Sequence, residues 1–469
     1  MSLTTAPRTS FDRRLIAPMI LGSALNPVNS SIIAVSLVPI GHALGEPPSR
    51  TAWLVSALYL ATAIGQPVVG RLIDVLGPRR LYLIGTAMVG VAGVIGLLAQ
   101  DLWVLVAARV VLGFGTCAGY PASMYLIRSE ARRTGEDSPS GVLTVLAVAN
   151  QTIAVIGPTL GGFLIAVGGW RSTFAVNIPL SLACLWLGGR RLSRHERPTA
   201  APGERPERLD YAGVALFTAT LVSLLLFLME RQVVLLPLLA VTALAAIGFA
   251  VVELRVATPF IDLRLLRGNV PLVATYARGL LTATVSYTFL FGVTQWLQEG
   301  RGLDPSTVGL VLMPMFGAAI VVSTLTGRRP EIRGKLVVGA AFQVAACVVV
   351  LGLDGGSPIW LLLALTLLLG VPQGLLSLGN QNAVYHQADP ARTASSAGLL
   401  RTSMYLGAIV SSAAGGLLLH DGATTGGLHH LGLFIVAVST LMLLLTLADR
   451  SLARIGRPSS DTTATPQEN

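Results

Sequence analysis

Charge is scarce in this chain. Asp, Glu, Lys and Arg make up 12% of its 469 residues, about half the share found in soluble globular domains. A surface facing water cannot be built from so few charges, which excludes an ordinary soluble fold. Acids are scarcer than bases, 23 against 33. The resulting net charge of +10 would suggest a nucleic-acid partner in a soluble protein. Here the basic residues sit in short segments between apolar runs, so no nucleic acid is expected. Cysteine is limited to Cys117, Cys184 and Cys347, all within apolar runs. They read as small buried side chains, not as disulfides or metal ligands, and no metal or other cofactor is expected. The polar start, Met1 to Arg14, leads into an apolar segment without a small-residue cleavage site. That segment reads as a retained helix, not a signal peptide.

What the chain does have is apolar length: 53% of its residues are hydrophobic and its mean hydropathy is +0.70. A hydrocarbon core about 30 Å thick is crossed by ~20 apolar helical residues. Backbone groups in lipid must be satisfied within the chain, so a spanning segment is a helix or part of a closed barrel. The runs here, such as Val233 to Val252, are long and unbroken instead of alternating, which selects helices. Apolar stretches predict fourteen spans, at 15–40, 51–70, 81–100, 102–125, 141–168, 173–189, 211–229, 232–252, 270–297, 305–327, 335–352, 358–385, 395–419 and 428–448. The sixth is the shortest. With this count Lys and Arg fall almost wholly on one side: the N-terminal tail, the connections after the even-numbered spans, and the C-terminal tail. The other side holds only Arg50, Arg171, Arg231 and Arg301. By the positive-inside rule both termini are expected in the cytoplasm of a multi-pass protein of the cell (plasma or inner) membrane.

A basic turn recurs. Gly70-Arg71 is followed seven residues on by Gly77-Pro78-Arg79-Arg80, and Gly327-Arg328 is followed seven on by Gly334-Lys335. Such repeats mark transporters built from two halves around a central site. The expected fold is an all-α membrane bundle of two pseudo-symmetric six-helix halves plus two inserted helices. Its parts are residues 1–189, a cytoplasmic linker with the inserted pair at 190–269, the second half at 270–450, and a disordered tail at 451–469.

Several motifs sharpen this picture. Gly70-Arg-Leu-Ile-Asp74-Val-Leu-Gly77-Pro-Arg79-Arg80 places an acid among arginines in a tight glycine-bearing turn, a natural ionic latch. It resembles the loop between the second and third spans of the major facilitator superfamily. By that resemblance Asp74 and Arg80 hold one conformation and release in the other. Arg109-Val-Val-Leu112-Gly113-Phe-Gly115 resembles the family's fourth-span motif, with Leu112 where Gln is usual. An Arg inside a span is a functional candidate by default. Gly157-Pro158-Thr-Leu-Gly161-Gly162 resembles the fifth-span motif of antiporters; its proline frees a carbonyl and its glycines allow close, bendable contact. Trp170-Arg171-Ser-Thr-Phe174-Ala-Val-Asn177-Ile-Pro179, Asp210-Tyr-Ala-Gly213 and Pro259-Phe-Ile-Asp262 resemble the fourteen-span drug:proton antiporter branch.

One departure stands out. That branch carries an acid in its first span, where this chain has Asn26, followed by Pro27-Val28-Asn29. No Asp or Glu lies well inside any predicted span, whereas Arg109, Arg278 and Arg401 do. A buried carboxylate is the usual proton carrier, so proton coupling, which the resemblance implies, lacks its ordinary residue. A cavity with net positive charge would favour anionic or polar solutes. Asn26, Asn29, Gln66, Arg109, Gln151, Arg278, Gln295, Gln373, Asn380 and Gln381 are the candidate cavity residues. Each polar one could equally be an interhelical hydrogen bond worth about 0.6 kcal/mol. The expected activity is export of small molecules by alternating access, with small-molecule substrate, lipid bilayer and protons as partners. A transporter of an anionic metabolite or lipid without proton antiport is the first alternative. A membrane-embedded sensor or enzyme is the second, and no nucleophile–base pair, metal cluster or nucleotide motif favours it. The topology carries its own test. Single cysteines placed in the stretches 190–210 and 422–427 of an otherwise cysteine-free chain are expected to react with impermeant reagent from opposite sides of intact membranes. Labelling from the same side would overturn the arrangement.

Overall fold

The computed structural model describes residues 12–134, 140–192, 210–230, 237–256, 259–261, 263–327, 331–388, 393–420 and 422–453. The described chain is helical throughout, as membrane crossing demands. Its long elements are α1 (Ile16–Leu44), α2 (Trp53–Leu76), α3 (Pro78–Leu98), α4 (Leu102–Thr116), α5 (Gly119–Thr134), α6 (Ser140–Gly168) and α7 (Asn177–Arg191). After a gap follow α8 (Tyr211–Glu230) and α9 (Pro237–Arg255). The remainder comprises α10 (Val270–Thr288), the short α11 (Thr294–Glu299), α12 (Pro305–Gly327), α13 (Ile332–Val350), α14 (Ile359–Gln387), α15 (Thr393–Leu418) and α16 (Thr425–Ala448). A π-helical stretch, Phe289–Val293, joins α10 to α11.

Ten helical stretches among the described residues are long and apolar enough to cross a membrane. The shortest predicted span, 173–189, falls within one of them, Ser172–Arg191. Shorter apolar stretches lie in α6 and α8, at Ile156–Gly168 and Tyr211–Phe227. α10 and α15 are not among the ten. Both carry a run of Thr, Ser and Arg, and both pack centrally, where polar side chains meet polar partners instead of lipid. Outer helices look different. On α9, Leu239, Val241, Leu244, Ile247 and Val251 are exposed, and on α3 so are Ile84, Val91, Val94 and Leu98. These faces suit lipid, not water.

Two groups of helices are evident from their packing. In the first, α1 packs on α5, α6 and α7, and α3 on α4 and α7. In the second, α10 packs on α15, α12 on α14, and α13 on α14 and α16. The groups meet along two seams, α6 against α12 and α2 against α15. The pair α8–α9 leans on the second seam through contacts of α8 with α2 and α15. Gly213 makes this pair possible: a Cβ there would meet Glu253 Oε1 at 2.3 Å and Asp210 Oδ2 at 2.5 Å. Asp210 Oδ1 accepts from the Gly213 amide at 2.8 Å, and Glu253 Oε2 from the Ile261 amide at 3.0 Å.

The turn between α2 and α3 is a single residue, Gly77, with φ +85°, a conformation that favours glycine. Pro78 then opens α3, where a missing N–H costs nothing. Asp304 caps α12. Its carboxylate accepts from the Thr307 amide at 2.9 Å, the Thr307 hydroxyl at 2.7 Å and the Ser306 hydroxyl. These bonds, Ser306 first, hold the Asp304 carboxyl at about 2, below its usual value. A depressed folded value means the cap stabilises fully above the ordinary carboxylate range and is lost as pH falls toward 2. Asp304→Ala is therefore expected to lower the thermal midpoint at pH 7, by a cap's worth of about 1 kcal/mol, and to have a clearly smaller effect at pH 2, where the carboxylate is about half protonated. An equal effect at both pH values would refute the assignment.

Candidate substrate cavity

Because the Arg-rich connections gather on one side, the two ends of the bundle can be called the basic face and the opposite face. Hydrogen bonds that join the two groups lie toward the opposite face. Thr159 Oγ1 donates to Gly309 O at 3.2 Å, Ser412 Oγ to Ala52 O at 2.8 Å, and Gln298 Nε2 to Val35 O at 3.3 Å. The contact there is tight. A Cβ on Gly162 would meet Pro305 O and Ser306 Cα at 2.6 Å, and one on Gly309 would meet Pro158 O and Thr159 Cα at 2.8 Å. A cavity of about 10 Å³ remains at this end, between Val55, Thr288, Gln295, Ser411 and Ser412, with room for roughly one water and no solute. Toward the basic face no such backbone contact between the groups is recorded, and a Cβ at Gly70, Gly327 or Gly398 would meet nothing, as it would at Gly45, Gly302 or Gly415 of the opposite face.

Between the sealed end and the basic face lies a band of aromatic and polar side chains from both groups. Tyr59 on α2 stacks on Tyr405 of α15 with ring centres 5.7 Å apart, and lies 5.0 Å from Tyr287 of α10. Tyr287 stacks on Phe291, in the π-helical stretch, at 5.7 Å. Arg401, eight residues into α15, places its guanidinium 4.0 Å from the ring centre of Tyr120 on α5. Asn26, Tyr120, Ser286, Tyr287, Gln373 and Arg401 are half-buried at mid-helix. Partly exposed polar groups at that depth, on helices packed between the two groups, mark a cavity wall.

The other candidates divide. Asn26 donates to Thr116 Oγ1 at 3.1 Å, and Gln373 accepts from Ser286 at 3.0 Å; both remain at the wall. Asn29 is locked instead. Its Nδ2 donates to Asn177 Oδ1 at 2.7 Å and its Oδ1 accepts from Asn177 Nδ2 at 2.9 Å. This reciprocal amide pair leaves little to offer a solute. Arg109 is 2% exposed; it donates to Leu54 O at 2.9 Å and Asn29 O at 3.4 Å, and its second terminal nitrogen has no partner. It ties α4 to α1 and α2 near Tyr59. Arg278 forms an ion pair with Asp449, just past the end of α16, at 2.6 Å, and donates to Thr275. The structure thus places Arg278 apart from the aromatic band, its charge already matched. Gln295 faces the small cavity of the sealed end. Gln66 is buried, on the helix that carries Tyr59. Asn380 is buried with an unpartnered carbonyl oxygen, and Gln381 beside it is exposed and bonds Ser377. The side chain of Gln151 lies outside the described residues.

Of the proposed latch, Gly70 and Gly77 sit at the basic face as described, Arg79 donates to Gly189 O at 3.0 Å, and Arg80 is exposed. The side chain of Asp74 lies outside the described residues. In the Gly157-Pro158-Thr-Leu-Gly161-Gly162 stretch every glycine has a neighbour in place of a Cβ: Ser31 at Gly157, Val35 at Gly161 and Pro305 at Gly162. Pro158 stands inside a continuous α6. This stretch therefore packs α6 on α1 with one face and on α12 with the other. Reading the sequence alone passed over Tyr59, Tyr120, Tyr287 and Tyr405. The available signal was their depth, since tyrosines of a membrane protein gather at helix ends.

Residues 19–412 match the sequence pattern of the Major Facilitator Superfamily. The chain belongs to that superfamily. Among its relatives, the uncharacterized MFS-type transporter YwoD of Bacillus subtilis (strain 168) is 31% identical over 92% of this chain and 96% of its own. The methylenomycin A resistance protein of Streptomyces coelicolor is 26% identical over 96% and 94%. The tetracenomycin C resistance and export protein of Streptomyces glaucescens is 26% identical over 85% and 74%. The same fold is seen in an auto-inhibited POT-family peptide transporter, with TM-score 0.65 at 16% identity over 97% of this chain and 99% of that one. The nucleoside transporter NupG shares it too, with TM-score 0.61 at 13% identity over 93% and 98%. This MFS transporter is an all-helical, multi-pass membrane protein.

The amide pair gives a stability test. Asn177→Leu leaves one buried amide half-satisfied and is expected to cost about 1–2 kcal/mol, seen as a lower thermal midpoint. Replacing Asn29 by Leu as well should recover part of that loss, because neither amide is then left unpaired. Equal midpoints for parent and single variant would contradict the pairing.

Proposed function

We propose that this MFS transporter exports small molecules by alternating access, in the manner of the fourteen-span drug:proton antiporters. The supporting observation is the aromatic and polar band around Tyr59, Tyr287, Arg401 and Tyr405, closed off by glycine contacts toward the opposite face. With the basic face in the cytoplasm, the cavity is poised to load from inside the cell, as an exporter requires. The resistance and export proteins among the relatives, named for methylenomycin A and tetracenomycin C, favour the same reading. In this reading residues 1–189 and 270–450 are the two moving halves, and 190–269 supplies a linker and an inserted pair. Separation of α6 from α12 opens the cavity outward while the Gly70–Arg80 turn, through Asp74, closes the basic face. Arg109 holds α1, α2 and α4 together beneath Tyr59 and keeps the wall in register.

Proton antiport belongs to this proposal, but Asn26 stands where the branch has its acid. That single residue favours the second reading, a transporter of an organic anion that runs without protons. Purified protein in liposomes with an imposed pH gradient separates the two. The first reading expects transport of a solute in a panel of cations, neutral compounds and anions to accelerate with the gradient and collapse with it. Flux indifferent to the gradient supports the second. Arg109→Ala is expected to lose transport in either case, and wild-type turnover in that variant would overturn its assigned role.

A further inference from the structure

Among the described residues Arg401 has no acidic partner. Ion pairs join Arg50 to Glu46, Arg133 to Glu130 and Arg278 to Asp449, and none of these involves Arg401. Its contacts are aromatic: Tyr120 lies under the guanidinium, and Tyr405, one helical turn along α15, lies beside it. An unpaired guanidinium at the depth of the hydrocarbon core is expensive. A cation–π contact with one face of the group offsets part of that cost, and the Tyr120 and Tyr405 hydroxyls come within reach of its N–H edge, neutral acceptors that leave the in-plane donors without a charged partner. Those donors form the planar fork that matches a carboxylate. Nearby, Tyr59 and Tyr405 are 0% and 4% exposed, and neither hydroxyl has an aligned hydrogen-bond partner. Their rings, with Tyr287 and Phe291, form an aromatic wall beside the charge. No described carboxylate stands in this band to receive a cation, and Arg109 adds positive charge behind Tyr59.

We propose that Arg401, seated on Tyr120 and flanked by Tyr405 and Tyr287, is the anion-binding point of a subsite for small aromatic organic anions. The carboxylate or phenolate of the solute bonds the Arg401 N–H fork and the solute's ring packs against the tyrosine wall. This rests on the cavity reading above. It also gives loading a consequence: Arg401 belongs to the second helix group and Tyr120 to the first, so a solute held by the fork of the seated guanidinium strengthens a contact that spans the two.

The test uses the full chain in lipid nanodiscs and three matched probes: radiolabelled 1-naphthoate, neutral 1-naphthamide and the cation (1-naphthylmethyl)trimethylammonium. Saturable 1-naphthoate binding is expected, with the amide and the cation each weaker by about tenfold or more. Arg401→Gln should weaken 1-naphthoate by about tenfold or more, and Arg401→Lys by less, because the charge stays while the fork is lost. Tyr120→Leu should weaken it several-fold with the charge intact. Unaltered thermal midpoints establish that the variants remain folded. The inference is overturned by no saturable 1-naphthoate binding, by equal binding of the cation, or by full affinity in folded Arg401→Gln. Its fate is separable from that of the export reading. Gradient-driven movement of cations that ignores Arg401→Gln would leave export standing and remove the anion subsite. Arg401-dependent naphthoate binding with no flux of any solute would do the reverse.

Discussion

Backbone touches backbone where the two groups of helices meet near the opposite face, and only glycine permits it. Gly162 stands against Pro305 and Ser306, and Gly309 against Pro158 and Thr159. In lipid there is little hydrophobic force to drive one apolar helix onto another, so association depends on close packing and interhelical hydrogen bonds. This seam has both: the glycine contacts, and Thr159 donating to Gly309 O. Sealing one end of the molecule in this way is what leaves the other end free to open.

The same economy governs the polar side chains. A group that cannot reach water must find its partner in the protein, and most of those buried here do. Asn29 and Asn177 satisfy each other, Arg278 meets Asp449, and Arg109 takes the carbonyls of Leu54 and Asn29. What stands out against this background at mid-depth is Arg401, whose neighbours are neutral tyrosines and not an acid, beside the unpartnered hydroxyls of Tyr59 and Tyr405. Unmatched polar groups beside an accessible cavity are where a solute can contribute what the chain does not.

Much of the architecture was legible in the sequence because lipid imposes a coarse and strict code. Apolar runs and arginine placement predict helices whose observed bounds lie close to the expected ones, as at 305–327 and 335–352 against Pro305–Gly327 and Ile332–Val350. α10 and α15 were harder for a composition measure, since the Thr, Ser and Arg residues that lower their apolarity are those packed toward the centre. The site was less legible. Polarity picks out Asn26, Asn29, Gln295 and Arg278 alike, yet whether a polar group faces a cavity or another polar group depends on helix rotation, which periodicity within a nearly uniform apolar helix does not encode. Asn29 gives no hint of Asn177, 148 residues away, nor Arg278 of Asp449. The tyrosines carry the opposite problem: each reads as an ordinary apolar core residue until four of them, from α2, α5, α10 and α15, are seen converging.

The claim at the centre of this account is that the glycine seam holds the opposite face shut and that opening it closes the basic face. Spin labels at positions 50 and 420 report the opposite face, and labels at 76 and 333 the basic face, in the full chain in nanodiscs. Gly309→Ala puts a methyl group where the backbone of Pro158 and Thr159 now stands. The account predicts that this substitution lengthens the 50–420 distance and shortens the 76–333 distance. A folded variant with both distance distributions unchanged would contradict it.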